Sequence, residues 1–207
     1  RLNQLIKCIS EQYAEKQILI STHSSFVANK LGLGKVMLLD NLRITRFSEL
    51  PEDTYNFFKK VAGYDTLRMI LCKKTILCEG DSDELVIQKA YMQLNDGRLP
   101  IEDGIEVISV GVSFLRFLEI ADCIQTKIAV VTDNDGDMAA INKKYANYIG
   151  AKRKEYIKIC VDDVVDTGTL KIGKSDYNYN TLEPKLLKAN GLDKLNRIFG
   201  TAYTDED

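Results

Sequence analysis

The chain has 207 residues, 45% of them hydrophobic, with 28% charged residues and a formal net charge of −2. That length and apolar content can bury a real core, which excludes a disordered chain, and the near-neutral balance excludes a polycation that coats nucleic acid or anionic membrane unaided. Apolar runs such as Val36–Leu39 and Ile128–Val131 stop far short of the ~20 residues of a membrane span, so a soluble, cytoplasmic protein with no membrane contact is expected. Five cysteines without a C-x-x-C pair suit a reducing compartment, and His23 as the only histidine leaves too few ligands for a Cys/His zinc site or for most His-based catalysis. Acidic side chains are left to do the chemistry. The start, Arg1-Leu2-Asn3-Gln4, has neither an initiator Met nor a signal-peptide core, and reads as the beginning of a piece of a longer chain.

Leu2, Ile6, Ile9 and Tyr13 recur at helical spacing, and Gln17–Ser21 reads as a short buried strand. Ser24 or Ser25 can cap a second helix ending near Gly32, followed by strands over Lys35–Leu39 and Leu42–Phe47 joined at Asp40-Asn41. Glu52–Val61 reads as a helix closed by Gly63, and Asp65–Cys72 as another. From residue 73 strand and helix alternate, the pattern of a parallel sheet covered by helices. The strands are Thr75–Cys78, Glu106–Val110, Lys127–Thr132 and Tyr156–Val161. Between them run a helix opened by a capping-box-like Asp81 and Glu84 with Ile87, Tyr91 and Leu94 on one face, one capped by Ser113, and one marked by Met138, Ile141, Tyr145 and Tyr148. Asp163–Tyr179, rich in Asp and Gly, reads as a long loop.

In open parallel sheets, ligands bind in the crevice at the carboxyl ends of the strands. Two strand exits here are acidic: Cys78-Glu79-Gly80-Asp81-Ser82-Asp83-Glu84 and Thr132-Asp133-Asn134-Asp135-Gly136-Asp137. Glu79 leaves a strand tip and Asp83 follows one helical turn later, while Asp133 and Asp135 are one residue apart, so each pair can face one point. Four carboxylates at one edge repel one another strongly, and a hard divalent cation is the natural compensation. Oxygen-only donors suit Mg²⁺ or Mn²⁺, and two such ions ~4 Å apart can clamp a phosphodiester. The competing reading is of helix caps and solvated turn acids, which accounts for Asp81 but not for acids at two strand exits. An EF-hand is excluded, because Gly136 falls fourth in the loop and Lys144 stands where the bidentate Glu belongs. A strand followed by Asp-x-Asp-Gly also resembles the haloacid-dehalogenase-type phosphohydrolases, with Asp133 as nucleophile and Asp162-Asp163 as distal acids, but leaves Glu79 without a role.

Glu79-Gly80-x-x-Asp83-Glu84, then Val107-Ile108-Ser109-Val110-Gly111, then Asp133-x-Asp135 resembles the Toprim domain of topoisomerases, bacterial primases and certain nucleases. Ile18-Leu19-Ile20-Ser21-Thr22-His23-Ser24 resembles the last core strand and switch histidine of an ABC-type ATPase. That order is the layout of the OLD-family (overcoming lysogenization defect) endonucleases, which include the nuclease subunit of the Gabija anti-phage system. The resemblance implies an α/β fold in which residues 1–62 end an ATPase domain, 63–72 form a linker helix and 73–207 form a Toprim nuclease. It further implies Glu79, Asp83, Asp133, Asp135 and Glu183 as metal-binding acids, Glu79 and Asp133 as catalytic, and His23 as nucleotide-sensing in the full-length ATPase. Two Mg²⁺ or Mn²⁺ ions, ATP in the full-length protein, DNA as substrate, a homo-oligomer and, for a Gabija-like system, a helicase partner follow from the same likeness. The family's late transition-state lysine has no candidate before Asp207, and a topoisomerase would need a nucleophilic tyrosine from a separate domain. A rival of another class is a Toprim module that clamps DNA or assembles without cutting.

Residues 143–158 hold six basic side chains against Glu155, a net +5, leaving the remainder at −7. With Tyr145, Tyr148 and Tyr156 interleaved, this strip can track phosphates beside the crevice, or else be a solvated helix face.

Overall fold

The computed structural model describes residues 2–13, 15–22, 24, 27, 33–40, 43–60, 64–172 and 174–204. His23 lies outside the described residues, as do Ser25, Gly32, Asn41, Val61 and Gly63, on which a helix cap, two helix ends and a turn were expected.

The first helix, α1 (Leu2–Gln12), follows its predicted apolar spacing. The expected strand at Gln17–Ser21 is not formed: residues 17–22 have no strand structure and Leu19 is 79% exposed. A β-prone run becomes a strand only where another backbone completes its hydrogen bonds, and among the described residues none lies beside it. Strands β1 (Met37–Asp40) and β2 (Arg43–Arg46) pair antiparallel. Helices α2 (Glu52–Lys60) and α3 (Tyr64–Leu71) lead into the sheet. Phe47, Leu50, Met69 and Ile70 from this region join the same hydrophobic cluster as the sheet residues below. Arg68 of α3 also makes a 2.6 Å ion pair with Glu106.

Strand β3 (Lys74–Cys78) is followed by α4 (Asp81–Leu94), β4 (Ile105–Ser109), α5 (Phe114–Ile124), β5 (Lys127–Val131), α6 (Met138–Lys144) and β6 (Ile157–Cys160). The four strands form one parallel sheet in the order β4-β3-β5-β6, flanked by helices. Alternate residues Leu77, Ile128 and Val130 bury against α5, whose Phe114, Phe117, Leu118, Ile120 and Ala121 supply the facing layer. Helix α4 crosses the edge strand β4 and is covered less completely: Ile87 and Tyr91 are half-buried, but Leu94, expected on the same buried face, is 84% exposed.

That strand order decides where a ligand can sit. From β3 the chain moves outward to β4 and then returns across β3 to β5, so β3 and β5 are neighbours whose outgoing connections diverge. A crevice opens above such a pair at the carboxyl ends.

The stretch expected as a loop contains a hairpin, β7 (Thr169–Ile172) with β8 (Ser175–Asn178). Two helices follow, α7 (Leu182–Asn190) and α8 (Leu192–Phe199). Among the described residues no helix is long and apolar enough to cross a membrane.

Candidate metal centre

Parallel pairing of β3 with β5 sets Leu77 opposite Val130. Two residues further on, the same register carries Glu79 alongside Thr132, and the Thr132 hydroxyl donates to Glu79 Oε1 at 2.7 Å. The Glu79 backbone is held as well, since its carbonyl accepts the Gly111 N–H at 3.0 Å from the β4 exit.

The second acidic exit is shaped by its middle residue. In extended chain Asn134 points opposite to Asp133 and Asp135, and it is fully buried. Its side chain donates to the carbonyls of Asp162 at 2.8 Å and Val164 at 3.1 Å and accepts the Gly136 N–H at 2.9 Å. Asp135 and Gly136 turn through left-handed conformations, φ 50° and 83°, and Asp137 then accepts the Ala140 N–H to cap α6. Asp133 is thereby left half-buried at the crevice and Asp135 exposed beside it.

Asp133 Oδ2 accepts the Leu182 N–H at 3.2 Å, so the start of α7 rests on this carboxyl. Burial nevertheless pushes the Asp133 carboxyl up to about 6; the Leu182 contact opposes the rise, and the charges of Asp83, Glu79 and Asp135 add to it. Beneath the β3 tip the Cys78 thiol is pushed up to about 12, first by burial and then by Asp83, Glu84, Asp81 and Glu79. Both groups register one acid-crowded crevice.

Asp83 has a partner the sequence did not assign. The cap of α4 is displaced by one residue from expectation, with Gly80 preceding the helix and Asp83 Oδ2 accepting the Gly80 N–H at 2.9 Å. Glu84, expected in that role, instead accepts a hydrogen bond from Gln88. Glu183 lies in the first turn of α7 beside Leu182, is exposed, and lines an apolar groove with Leu170, Leu187 and Phe199.

Among the described residues, no three acidic, His or Cys side chains converge into a ready ligand cluster. Glu79, Asp83 and Asp133 each direct one oxygen to a protein donor. The donor set still fits a hard divalent cation, because it is entirely oxygen, spans two adjacent strand tips and adds to the raised proton affinity of the half-buried Asp133. A cation relieves the repulsion that a proton otherwise relieves.

The groups that the sequence did not single out are the ones that hold the acids. Asn180 is buried, with bonds in both directions to the Asp166 backbone at 2.7 and 2.9 Å. Lys185 pairs with Asp162 at 2.6 Å, and Lys188 with Asp166. Together they fasten α7 and the residues before it to the segment that follows β6. The basic strip is thinner than expected, because Tyr145 and Tyr148 are core residues and Tyr156 donates to Asp122 at 2.7 Å. Lys154 also pairs with Asp122, and Lys144 lies over the Phe114 and Tyr145 rings at 5.2 and 5.3 Å. Lys143, Lys152, Arg153 and Lys158 are exposed.

Residues 70–135, about a third of the chain, match the family model described as overcoming lysogenization defect protein-like, TOPRIM domain. Over this stretch the chain is similar to an OLD-like Toprim domain. The matched Toprim stretch runs from the end of α3 through β5 and closes at Asp135, so both acidic strand exits fall within it. A Toprim-like domain with this donor set is suited to metal-dependent processing of nucleic acid. No curated protein matches the chain.

Proposed function

We propose that the chain is the nuclease portion of an OLD-type protein and hydrolyses DNA phosphodiesters with Mg²⁺ or Mn²⁺. The observation that carries this is the Asp133 carboxyl, half-buried beside Asp83, Glu79 and Asp135 and pushed up to about 6. Glu79, Asp83, Asp133 and Asp135 would hold the cation, with Glu183 as a further acid from α7. When bound, such ions neutralise a phosphodiester and polarise it towards attack by water. Glu79, fixed through one oxygen by Thr132, keeps its second oxygen for a proton at the reacting group. Asp133 is steadied by the Leu182 N–H, and Lys143, Lys152, Arg153 and Lys158 would guide phosphates towards the crevice.

Residues 1–62 are proposed as the end of an ATPase domain, 63–72 as a linker helix and 73–207 as the nuclease. Nucleotide control, with His23 as sensor, belongs in this proposal to the full-length protein. So do an oligomeric assembly, a cytoplasmic location and a role in defence against phage, with a helicase partner if the system is Gabija-like.

Incubation of plasmid with the full-length protein, with and without Mn²⁺, tests the activity. Wild type should nick, and Glu79→Ala and Asp133→Ala should not; equal nicking by all three removes the nuclease reading. Phosphate release from small phosphoesters, lost only in Asp133→Ala, would favour a phosphohydrolase instead. DNA retention without any cutting would favour a clamping or assembly module.

A further inference from the structure

Tyr145 is the largest fully buried side chain among the described residues. Its hydroxyl is also the one buried side-chain polar atom among them that completes no hydrogen bond. An orphan of that kind opposes folding, and a phenylalanine would fill the same space without it. Packing therefore accounts for the ring and not for the oxygen.

The surroundings show what the oxygen faces. Phe114 meets the ring edge-on, with centroids 6.5 Å apart and planes at 66°, and Lys144 lies 5.3 Å from the ring centroid. Tyr145 is fully buried, so the phenol is out of reach of water. It lies beside Thr132 with Glu79 beyond; burial first, and the Glu79 charge, keep it neutral and push its pKa up to about 12, against the lowering effect of Thr132. A threonine hydroxyl has one proton to give and two lone pairs to receive. Thr132 gives its proton to Glu79, so a lone pair is what it offers to the Tyr145 O–H.

We propose that Tyr145 is a positioning residue for Glu79, acting through Thr132. As Glu79 turns towards a divalent cation, Tyr145 donates to Thr132, Thr132 donates to Glu79, and the relay locks one carboxylate rotamer. This rests on the metal-centre reading above. It assigns a task to a side chain outside the matched stretch of residues 70–135.

The test is calorimetric titration of the metal-free full chain with Mn²⁺, comparing wild type, Tyr145→Phe, Thr132→Val and the double variant, with thermal unfolding alongside. Tyr145→Phe should weaken Mn²⁺ binding about tenfold, the lower end for loss of a residue that orients a ligand, without a loss of unfolding temperature. The double variant should bind no more weakly than Thr132→Val alone, because the phenol acts through that hydroxyl. In a Thr132→Ser background, which keeps the hydroxyl, the Tyr145→Phe effect should return. A second measurement needs no variant: the NMR signal of the Tyr145 hydroxyl proton in wild type should move downfield on addition of Mg²⁺. Tyr145→Phe binding Mn²⁺ as tightly as wild type, fully multiplicative losses in the double variant, or an unmoved hydroxyl signal would each overturn the relay alone. Wild type that binds no Mn²⁺ overturns the metal centre and the relay with it.

Discussion

Thr132 and Glu79, 53 positions apart in sequence, are joined by a 2.7 Å hydrogen bond across the carboxyl ends of two neighbouring parallel strands. The bond follows directly from strand register, so the acid at one tip is oriented by the residue preceding the acid at the other. Replacing Thr132 by Val removes a donor to a charged group, for which a loss of about 2 kcal/mol is typical. The unfolding temperature should fall by about 5 °C, and Thr132→Ser should restore most of it, as read by calorimetric melting.

Asp133 gives a pH signature whose direction is fixed by its raised carboxyl. The folded state holds the Asp133 proton more tightly than the unfolded chain does, so the stability it contributes is fully present below about 4 and is lost as pH rises to about 6. Asp133→Asn mimics the neutral form. In EDTA its stability should equal that of wild type near pH 4 and exceed it above pH 6, as measured by urea unfolding across that range. Metal binding runs the other way, since the cation displaces the proton: wild-type affinity for Mn²⁺ should weaken about tenfold per pH unit below about 6 and level off above.

Asn134 holds the turn between the two aspartates through three hydrogen bonds while fully buried. Asn134→Ala strands the Asp162 and Val164 carbonyls and the Gly136 N–H. A loss of about 3 kcal/mol is expected by urea unfolding, together with loss of Mn²⁺ binding even though every acid remains.

Gly136 sits at φ 83°, and a Cβ there would lie 3.3 Å from Asn180 Nδ2. Gly136→Ala combines left-handed strain with pressure on the buried Asn180 between the hairpin and α7, for an expected cost of about 1–2 kcal/mol. Chemical denaturation measures it, with Gly97→Ala as the control: Gly97 also has positive φ but nothing within 4 Å of its Cβ position.

The basic residues should separate into two classes. Arg153→Ala and Lys158→Ala should each lower the slope of log affinity for duplex DNA against log salt by about 0.9, with little effect on stability. Lys154→Ala breaks the pair with Asp122 and should act on folding more than on DNA; filter binding and thermal melts tell them apart.

The parallel sheet was legible because buried strands such as Ile128–Val131 are apolar and bounded by acids and turns, and because helix and strand alternate regularly. Grouping Glu79 with Asp133 was legible from the general rule for strand carboxyl ends, although the strand order that places β3 beside β5 could not be read from one sequence. Thr132, Asn134 and Asn180 were missed, since their roles depend on partners at distances in sequence that no local pattern encodes. The hairpin was hidden by the Asp and Gly of residues 163–179, yet the alternation Thr169-Leu170-Lys171-Ile172, followed in the sequence by the turn-prone pair Gly-Lys, was an available signal. The tyrosines of the basic strip misled because the spacing that puts Tyr145 beside lysines also puts it on the core face of α6 and the turn after it.

Anomalous X-ray scattering from crystals of the chain grown or soaked in Mn²⁺ tests the central claim most directly. The account expects a Mn²⁺ peak between the carboxylates of Glu79 and Asp133, within about 2.5 Å of an oxygen from each, and no such peak in Asp133→Ala. Mn²⁺ held elsewhere on the molecule, with the crevice of β3 and β5 empty at saturating metal, would contradict it.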